Sequence, residues 1–368
     1  MDLVARSERE GHFYVPAFCV VVAGRDILRD HKAAVVQAEV DLTIGGASRF
    51  SFTIQDAFDF ETRQFRVNDK RVDLLSLLKF GTPVTISMGY GESANLVQLI
   101  SGTVSHIAPN FPETGSPEIV VSGYDHAFRL TAGKSSRTWK AGSLDSDAVA
   151  EIANFHSLNA DIVPTKSPRE QIVQKHESDL EFALRLAKQN GYEIYVRGSE
   201  LRFGPARLRD KAVLTMEWGR GLLSFKPEAN LAGQYTSVEV SSWDAKTAQT
   251  IIGRATRGQE LGRDPREQSA GDMLAGVLRH EAILRVREPV NSQSEATNLA
   301  IALLKEQSER FLTGDVETIG VPEIIPDRNV TLAGLGQLFS KTYYVEQATH
   351  SANANGYRTR FKVREATL

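Results

Sequence analysis

The chain has 368 residues, 41% hydrophobic and 24% charged, with a formal net charge of −3 and a pI near 6.3. This is the balance of an ordinary globular chain, long enough for two or three domains, and it excludes wholesale disorder. It also excludes a dedicated nucleic-acid binder, which would carry a clustered basic face, although a passage that merely lets DNA or protein through stays compatible with it.

Met1 to Glu10 carries charges of both signs and no apolar stretch, so it does not read as a signal peptide. No apolar run approaches the roughly 18 residues of a membrane helix, so no membrane insertion is expected. Strand signals then dominate to about Leu130. Val35–Ile44, Phe50–Ile54, Val84–Met88 and Leu96–Ile107 are rich in Val, Ile, Thr and Phe, and Gly45-Gly46, Gly81-Thr82-Pro83 and Gly89-Tyr90-Gly91 punctuate them. Val40–Ile44 and Ser51–Ile54 alternate apolar and polar, as half-buried antiparallel strands do. Residues 110–117 read as a hairpin loop and Ile119–Val121 as the returning strand. The single cysteine, Cys19, lies in the run Phe18–Val22 with no base nearby, so it reads as a small buried hydrophobe rather than a nucleophile.

From Thr131 to Pro205 the pattern becomes mixed. A helix is expected over Ser143–His156. A second begins at Ser178, where Glu181 three residues on completes a capping box, and Gly191 stops it. Tyr192–Val196 and Glu200–Phe203 make a hairpin around Arg197-Gly198-Ser199. Strands return at Leu214–Trp218, Leu222–Pro227 and Thr236–Ser242. The polar stretch 253–276 reads as a long exposed loop. Its Arg254, Arg257, Arg263 and Arg266 are the candidate partner-contact residues, although Glu260, Asp264, Glu267 and Asp272 nearly balance them. A long helix is expected over 292–312, capped by Ser292 with Glu295, carrying an apolar stripe that ends at Phe311, and stopped by Gly314. Strands at Asn329–Leu332, Tyr343–Ser351 and Tyr357–Arg364 close the chain.

Two segments repeat one another. Val84-Thr85-Ile86, a Gly-rich turn and Ser101-Gly102-Thr103-Val104 match Val330-Thr331-Leu332, a Gly-rich turn and Ser340-Lys341-Thr342-Tyr343, each followed by a loop and a final strand. Two β units with the same strand order explain the match, although β meanders in general share this outline.

Catalytic spacing is missing throughout. Ala132-Gly133-Lys134-Ser135 has Phe128 where a phosphate loop needs its first glycine. Gly334-Leu335-Gly336 lacks the third glycine of a dinucleotide fingerprint, and His176-Glu177 and His280-Glu281 lack the second histidine of a zinc helix. No Gly-x-Ser-x-Gly elbow occurs. Asp56, Asp59 and Glu61 read as a solvated acidic edge. No catalytic, cofactor or metal residue is assigned, and the chain is expected not to be an enzyme.

The segment from His176 to Tyr192 (His-Glu-Ser-Asp-Leu-Glu-Phe-Ala-Leu-Arg-Leu-Ala-Lys-Gln-Asn-Gly-Tyr) resembles a segment of the phage late control protein D family, which includes the hub portion of VgrG-type spike proteins. Gly123-Tyr124-Asp125 through Leu130, and Gly320 to Pro326 with Gly334–Gly336, Tyr343–Val345 and His350, resemble that family's junction and closing segments, so the likeness spans most of Val15 to Arg364. The resemblance implies a mainly β fold with an α+β insert. Two similar tube-like antiparallel β-barrels, 1–130 and 206–368, would flank a central α/β region, 131–205, with the long helix bracing the barrels. It also implies a structural baseplate hub of a phage tail or contractile injection system. Such a hub is a homotrimer that adapts a six-fold tail tube to a three-fold spike, made in a bacterial cytoplasm and carried in the assembled particle, with wedge and tape-measure proteins as further partners. Related spike proteins continue into a needle where this chain stops at Leu368, so the spike is expected to be a separate polypeptide. The other classes compatible with the sequence are a tube-initiating or distal tail protein, and a tail-associated cell-wall hydrolase.

Overall fold

The computed structural model describes residues 15–67, 71–245, 247–260, 262 and 264–368. The first unit comprises β1 (Pro16–Val22), β2 (Arg25–Asp26), β3 (Ala34–Thr43), β4 (Arg49–Gln55), β5 (Phe58–Asp59), β6 (Gln64–Val67), β7 (Val72–Asp73), β8 (Pro83–Tyr90), β9 (Val97–Asn110) and β10 (Glu118–Asp125). Its main strands lie in the order β1-β8-β9-β10-β4-β3. Period-two alternation drives them together: Phe50, Phe52 and Ile54 on β4 and Ile119 and Val121 on β10 point into one core. Asp59, expected at a solvated edge, is instead buried and accepts hydrogen bonds from Thr62 Oγ1 (2.7 Å) and the Glu61 N–H (3.2 Å).

The central unit contains β11 (Ser135–Trp139), helix α1 (Asp145–Phe155), β12 (Asn159–Ile162), β13 (Ile172–Glu177), helix α2 (Asp179–Asn190), β14 (Tyr192–Arg197) and β15 (Glu200–Pro205). Helix α2 begins and ends where its sequence signals say. Ser178 Oγ accepts from the Glu181 N–H, Glu181 answers on the Ser178 N–H at 2.8 Å, and Gly191 closes the helix in the left-handed region at φ 66°.

Next come β16 (Leu214–Trp218) and β17 (Gly221–Ala229), then an insert of β18 (Ser237–Asp244), β19 (Gln249–Thr256), helix α3 (Ala270–Val277), β20 (Ile283–Arg287) and helix α4 (Gln293–Ser308). The chain ends with β21 (Leu312–Ile319), β22 (Arg328–Ala333), β23 (Lys341–Asn353) and β24 (Gly356–Glu365). Six strands close a ring, β16-β22-β23-β24-β21-β17 and back to β16. It is not wholly antiparallel, because β16 runs parallel to both β22 and β17.

Two expectations for this part need correction. Residues 253–276 are not one loop, since their ends belong to β19 and to α3, where Ser269 and Asp272 form a capping box. The long helix ends at Ser308, so Phe311 lies beyond it in the barrel core and Gly314 lies in β21. The last turn of that helix meets the ring through Lys305 and Glu309, which cluster with Arg364 of β24. The helix's apolar stripe packs on the β18–β19–β20 sheet in a separate core with Val238, Val240 and Ala255. Gly253 makes this possible, because a Cβ there would run into the backbone of Ala296 and Thr297.

The two β units superpose in register. Val84 faces Gly102 as Val330 faces Tyr343, so Val84-Thr85-Ile86 and Val330-Thr331-Leu332 are equivalent. Both units carry the same two β-bulges. Val36 is the extra residue in β3 and Leu223 in β17; Ser105 is extra in β9 and Glu346 in β23. The bulges make Ser101 equivalent to Thr342, two residues from the alignment that the Ser-x-Thr pattern suggests. Five strands match in order and direction. The sixth position is filled by β1 antiparallel to β8 but by β16 parallel to β22.

Candidate assembly surface

The ring is joined to the first unit by β23. Its first half pairs with β22, and its second half pairs on the same edge with β3, from Gln347 opposite Thr43 to Asn353 opposite Gln37. Ala38, Val40, Leu42, Ala348, His350 and Ala352 are buried along this joint. Ala352 and Tyr357 of the β23–β24 hairpin enter the first unit's core, where Tyr357 meets Tyr90 and covers Gly320 so closely that no side chain fits there. His350 is fully buried. Its Nε2 donates to the Ile324 carbonyl at 2.9 Å, so Nδ1 accepts from Tyr357 Oη at 2.8 Å. Burial disfavours the imidazolium and pushes its pKa down to about 4.

The joint creates one continuous antiparallel sheet of eight strands, β9-β10-β4-β3-β23-β24-β21-β17. One face covers the cores of the two β units. The other face is polar almost throughout, with charges of both signs interleaved: one row runs from Arg49 through Asp41, Thr349, Arg360 and Glu317 to Ser224. Asp41 accepts from Gln347 Nε2 (2.9 Å) and Thr349 Oγ1 (3.0 Å). The face is concave over β17, β21, β24 and β23, with a hollow of about 460 Å³ bordered by Lys226, Glu317, Arg360 and Lys362. Alternation in β3 and β4 was legible in the sequence; their union with β23 and β24 into one surface was not.

Buried charge fixes the central unit against the ring. Asp327 accepts from Tyr195 Oη (2.9 Å), Tyr344 Oη (3.0 Å) and the Arg207 N–H (3.0 Å). Arg364 donates to Glu193 at 2.6 Å and lies 3.4 Å from Glu309, while Lys305 lies 3.5 Å and 3.4 Å from the same two carboxylates. Burial pushes both carboxylates up. Arg364 and Lys305 overcome that for Glu193, which ends low, whereas Glu309 stays above the ordinary carboxylate range. Arg169 links the first turn of α1 to that of α4 by binding Asp145 (2.7 Å) and Glu295. At the end of β10, burial raises Asp125 to about 6 although it accepts from the Ser48 and Ala127 N–H groups.

The four arginines singled out from sequence do not converge. Arg254 lies on β19 beside Glu281, Arg257 pairs with Asp272 at 3.3 Å, Arg266 folds back on Asp264 at 2.6 Å, and Arg263 lies outside the described residues. Among the described residues no cluster of His, Cys, Asp and Glu could hold a metal ion, and no helix is long and apolar enough to cross a membrane. Cys19 is half-buried, and burial together with its hydrogen bond to Asp26 raises the thiol to about 11, far from a reactive thiolate.

A comparison with curated proteins gave no match. Among solved structures, the fold matches the 43 kDa tail protein of prophage MuSo2 from Shewanella oneidensis at a TM-score of 0.69, with 14% identity over 95% of this chain and 98% of that one. It matches the tail protein from Neisseria meningitidis MC58 at 0.68, with 15% identity over 96% and 97%. An E. coli component of the type VI secretion system matches at 0.55, with 11% identity over 94% and 76%. The fold is thus that of phage tail proteins, in line with the likeness carried by the sequence motifs. A family model described as the Alg8 N-terminal domain matches residues 14–353, and the chain belongs to that family.

Proposed function

We propose that the chain is a structural, non-catalytic hub in the baseplate of a phage tail or tail-like contractile injection system, acting as a homotrimer. The internal duplication carries this reading. Two β units equivalent down to their bulges give six such units in three copies. A ring of that kind meets a six-fold tail tube on one side and keeps three-fold symmetry for a spike on the other. The concave polar face suits the wall of a wet passage, since interleaved charges of both signs hold no single class of cargo. Tube rings and the spike are the primary partners on this reading, with wedge and tape-measure proteins as secondary ones. Sedimentation of the purified chain over a range of concentrations tests it. A trimer that clears no peptidoglycan is expected; a monomer at every concentration, or hydrolysis of the cell wall, would overturn the assignment.

A further inference from the structure

The joint between β3 and β23 has an unfinished copy on the same chain. Because the units are in register, β17 is the equivalent of β3 and β9 of β23. Gln37–Thr43 of β3 is paired with β23, but the matching edge, Ser224–Ala229 of β17, has no strand beside it among the described residues; β16 reaches only Gly221 and Leu222. The edge of β9 from His106 to Asn110 is bare in the same way, whereas its equivalent on β23 holds β3. We propose that these two edges join between copies: β9 of one subunit adds antiparallel to β17 of the next, repeating the internal joint around the ring. This rests on the trimeric reading and gives it a specific contact.

Side-chain chemistry supports it. The buried row Ala38, Val40, Leu42 becomes Phe225, Pro227, Ala229 on β17, and Ala348, His350, Ala352 becomes Ile107, Pro109, Phe111 on β9 and just beyond. All six substitutes are apolar, yet none is buried in the single chain, and Phe111 is 59% exposed. Ala352 in the internal joint is buried in the first unit's core; Phe111 meets Phe58 and Phe65 of its own chain on one side, and its exposed side is left for the ring of the neighbour. Exposed Trp218 and Leu223 lie at that end of β17.

The prolines fix the register. The Asn230 N–H donates to the Phe311 carbonyl, so by alternation residue 227 turns its backbone groups to the open edge. The Asp125 N–H donates to Ser48, so Ile119 faces β4 and its opposite number, Pro109, also faces outward. Each bare edge therefore carries a proline where a donor would stand, which discourages indiscriminate edge pairing. Transferring the internal register places Pro109 opposite Pro227, as His350 stands opposite Val40. Both missing donors then fall on one rung. A slip of two residues spoils two rungs, so the proline pair selects this alignment.

In the same register Ala108 faces Glu228, as Thr349 faces Asp41, in a non-hydrogen-bonded pair close enough for a disulfide. The test is mild oxidation of full-length protein with Cys19→Ser, Ala108→Cys and Glu228→Cys, read on denaturing gels beside sedimentation of the unoxidised sample. Covalent dimers and a covalent closed trimer are expected, absent from either single-cysteine variant. The slipped control, Ala108→Cys with Lys226→Cys, should cross-link at least tenfold less. Phe111→Asp should weaken association at least tenfold, while Phe155→Asp, at a still more exposed phenylalanine on α1, should leave it unchanged. A trimer that does not cross-link, or cross-links equally in the slipped control, overturns the strand pairing and leaves the trimeric reading standing. A monomer overturns both.

Discussion

The two β units treat one edge in opposite ways. In the first, β3 gives its outer edge to β23, and the sheet stays open between β1 and β3. In the second, β16 enters in the reverse direction, runs parallel to β17 over two residues and closes the ring, and among the described residues no strand covers the rest of the β17 edge. The strand order is otherwise the same and so are the bulges. The difference teaches that duplication produced a finished joint and an unfinished one, and that the contents of the finished joint state what the unfinished one lacks. It also separates two demands on the sequence. Residues of the β3–β23 joint must be buried for the chain to fold, whereas their counterparts must tolerate water until another surface covers them.

The comparison breaks most sharply just before β8 and β22. Gly81 and Asp327 are equivalent: both have positive φ, 80° and 60°, and their N–H groups donate to Val104 and Val345, themselves a matched pair. Gly81 has no side chain to offer, while Asp327 binds the hydroxyls of Tyr195 in the central unit and Tyr344 in β23, and the Arg207 N–H just beyond β15. Asp327→Gly keeps the backbone conformation and strands those buried donors. A loss of about 4 kcal/mol is expected in denaturant unfolding, in the range for opening a buried polar network. Gly81→Asp, at an exposed turn that tolerates Asp, should cost about 1 kcal/mol or less. Equal costs at the two sites would mean that the clamp does not distinguish the units.

His350 sharpens the contrast at the joint itself, because its equivalent, Pro109, cannot titrate. The folded-state pKa is depressed to about 4, below the ordinary histidine value. The stability it lends is therefore full above the unfolded pKa, and is lost as pH falls toward 4, since the unfolded chain takes up a proton that the native joint refuses. About 3 kcal/mol is at stake over that window. In His350→Gln, whose amide can donate to Ile324 and accept from Tyr357, the term is absent. The stability gap between wild type and variant should thus shrink by that amount from pH 7 to pH 4, a double difference that cancels the opposite trend from Asp125. A gap that stays constant would remove the histidine from the acid response of the joint.

Local structure was legible where the signal is local. The Ser178–Glu181 box and Gly191 give α2 its limits, and alternation in β3 and β4 gives their faces. Val84-Thr85-Ile86 and Val330-Thr331-Leu332 announced the duplication at the right residues. What escaped was long-range. The reversal of β16 depends on where the central unit delivers the chain, and the insert of β18 to α4 was hidden because β19 and α3 lie in a polar, arginine-rich stretch that reads as a loop. The assembly surface escaped for a related reason. Pro109 and Pro227 look like strand breakers until the sheet shows that both face an open edge.

The arginine stretch supplies the smallest expected effect and the cleanest separation of folding from assembly. Arg254 and Glu281 form an exposed pair on the insert, with side chains 45% and 59% accessible. Nothing comparable stands at the corresponding place in the first unit, where β3 and β4 are joined by a short hairpin. An exposed pair is worth less than about 1 kcal/mol, because water and salt screen it and both side chains lose freedom in holding it. Arg254→Glu, alone or with Arg257→Glu, should leave the unfolding midpoint nearly unchanged. Particle assembly then becomes a direct readout of whether the insert touches a partner. Lost assembly with unchanged stability would assign these guanidinium groups a contact that the duplicated units lack. Unchanged assembly would reduce them to a solvated face and leave the proposed pairing of β9 with β17 to be tested by its own cross-links.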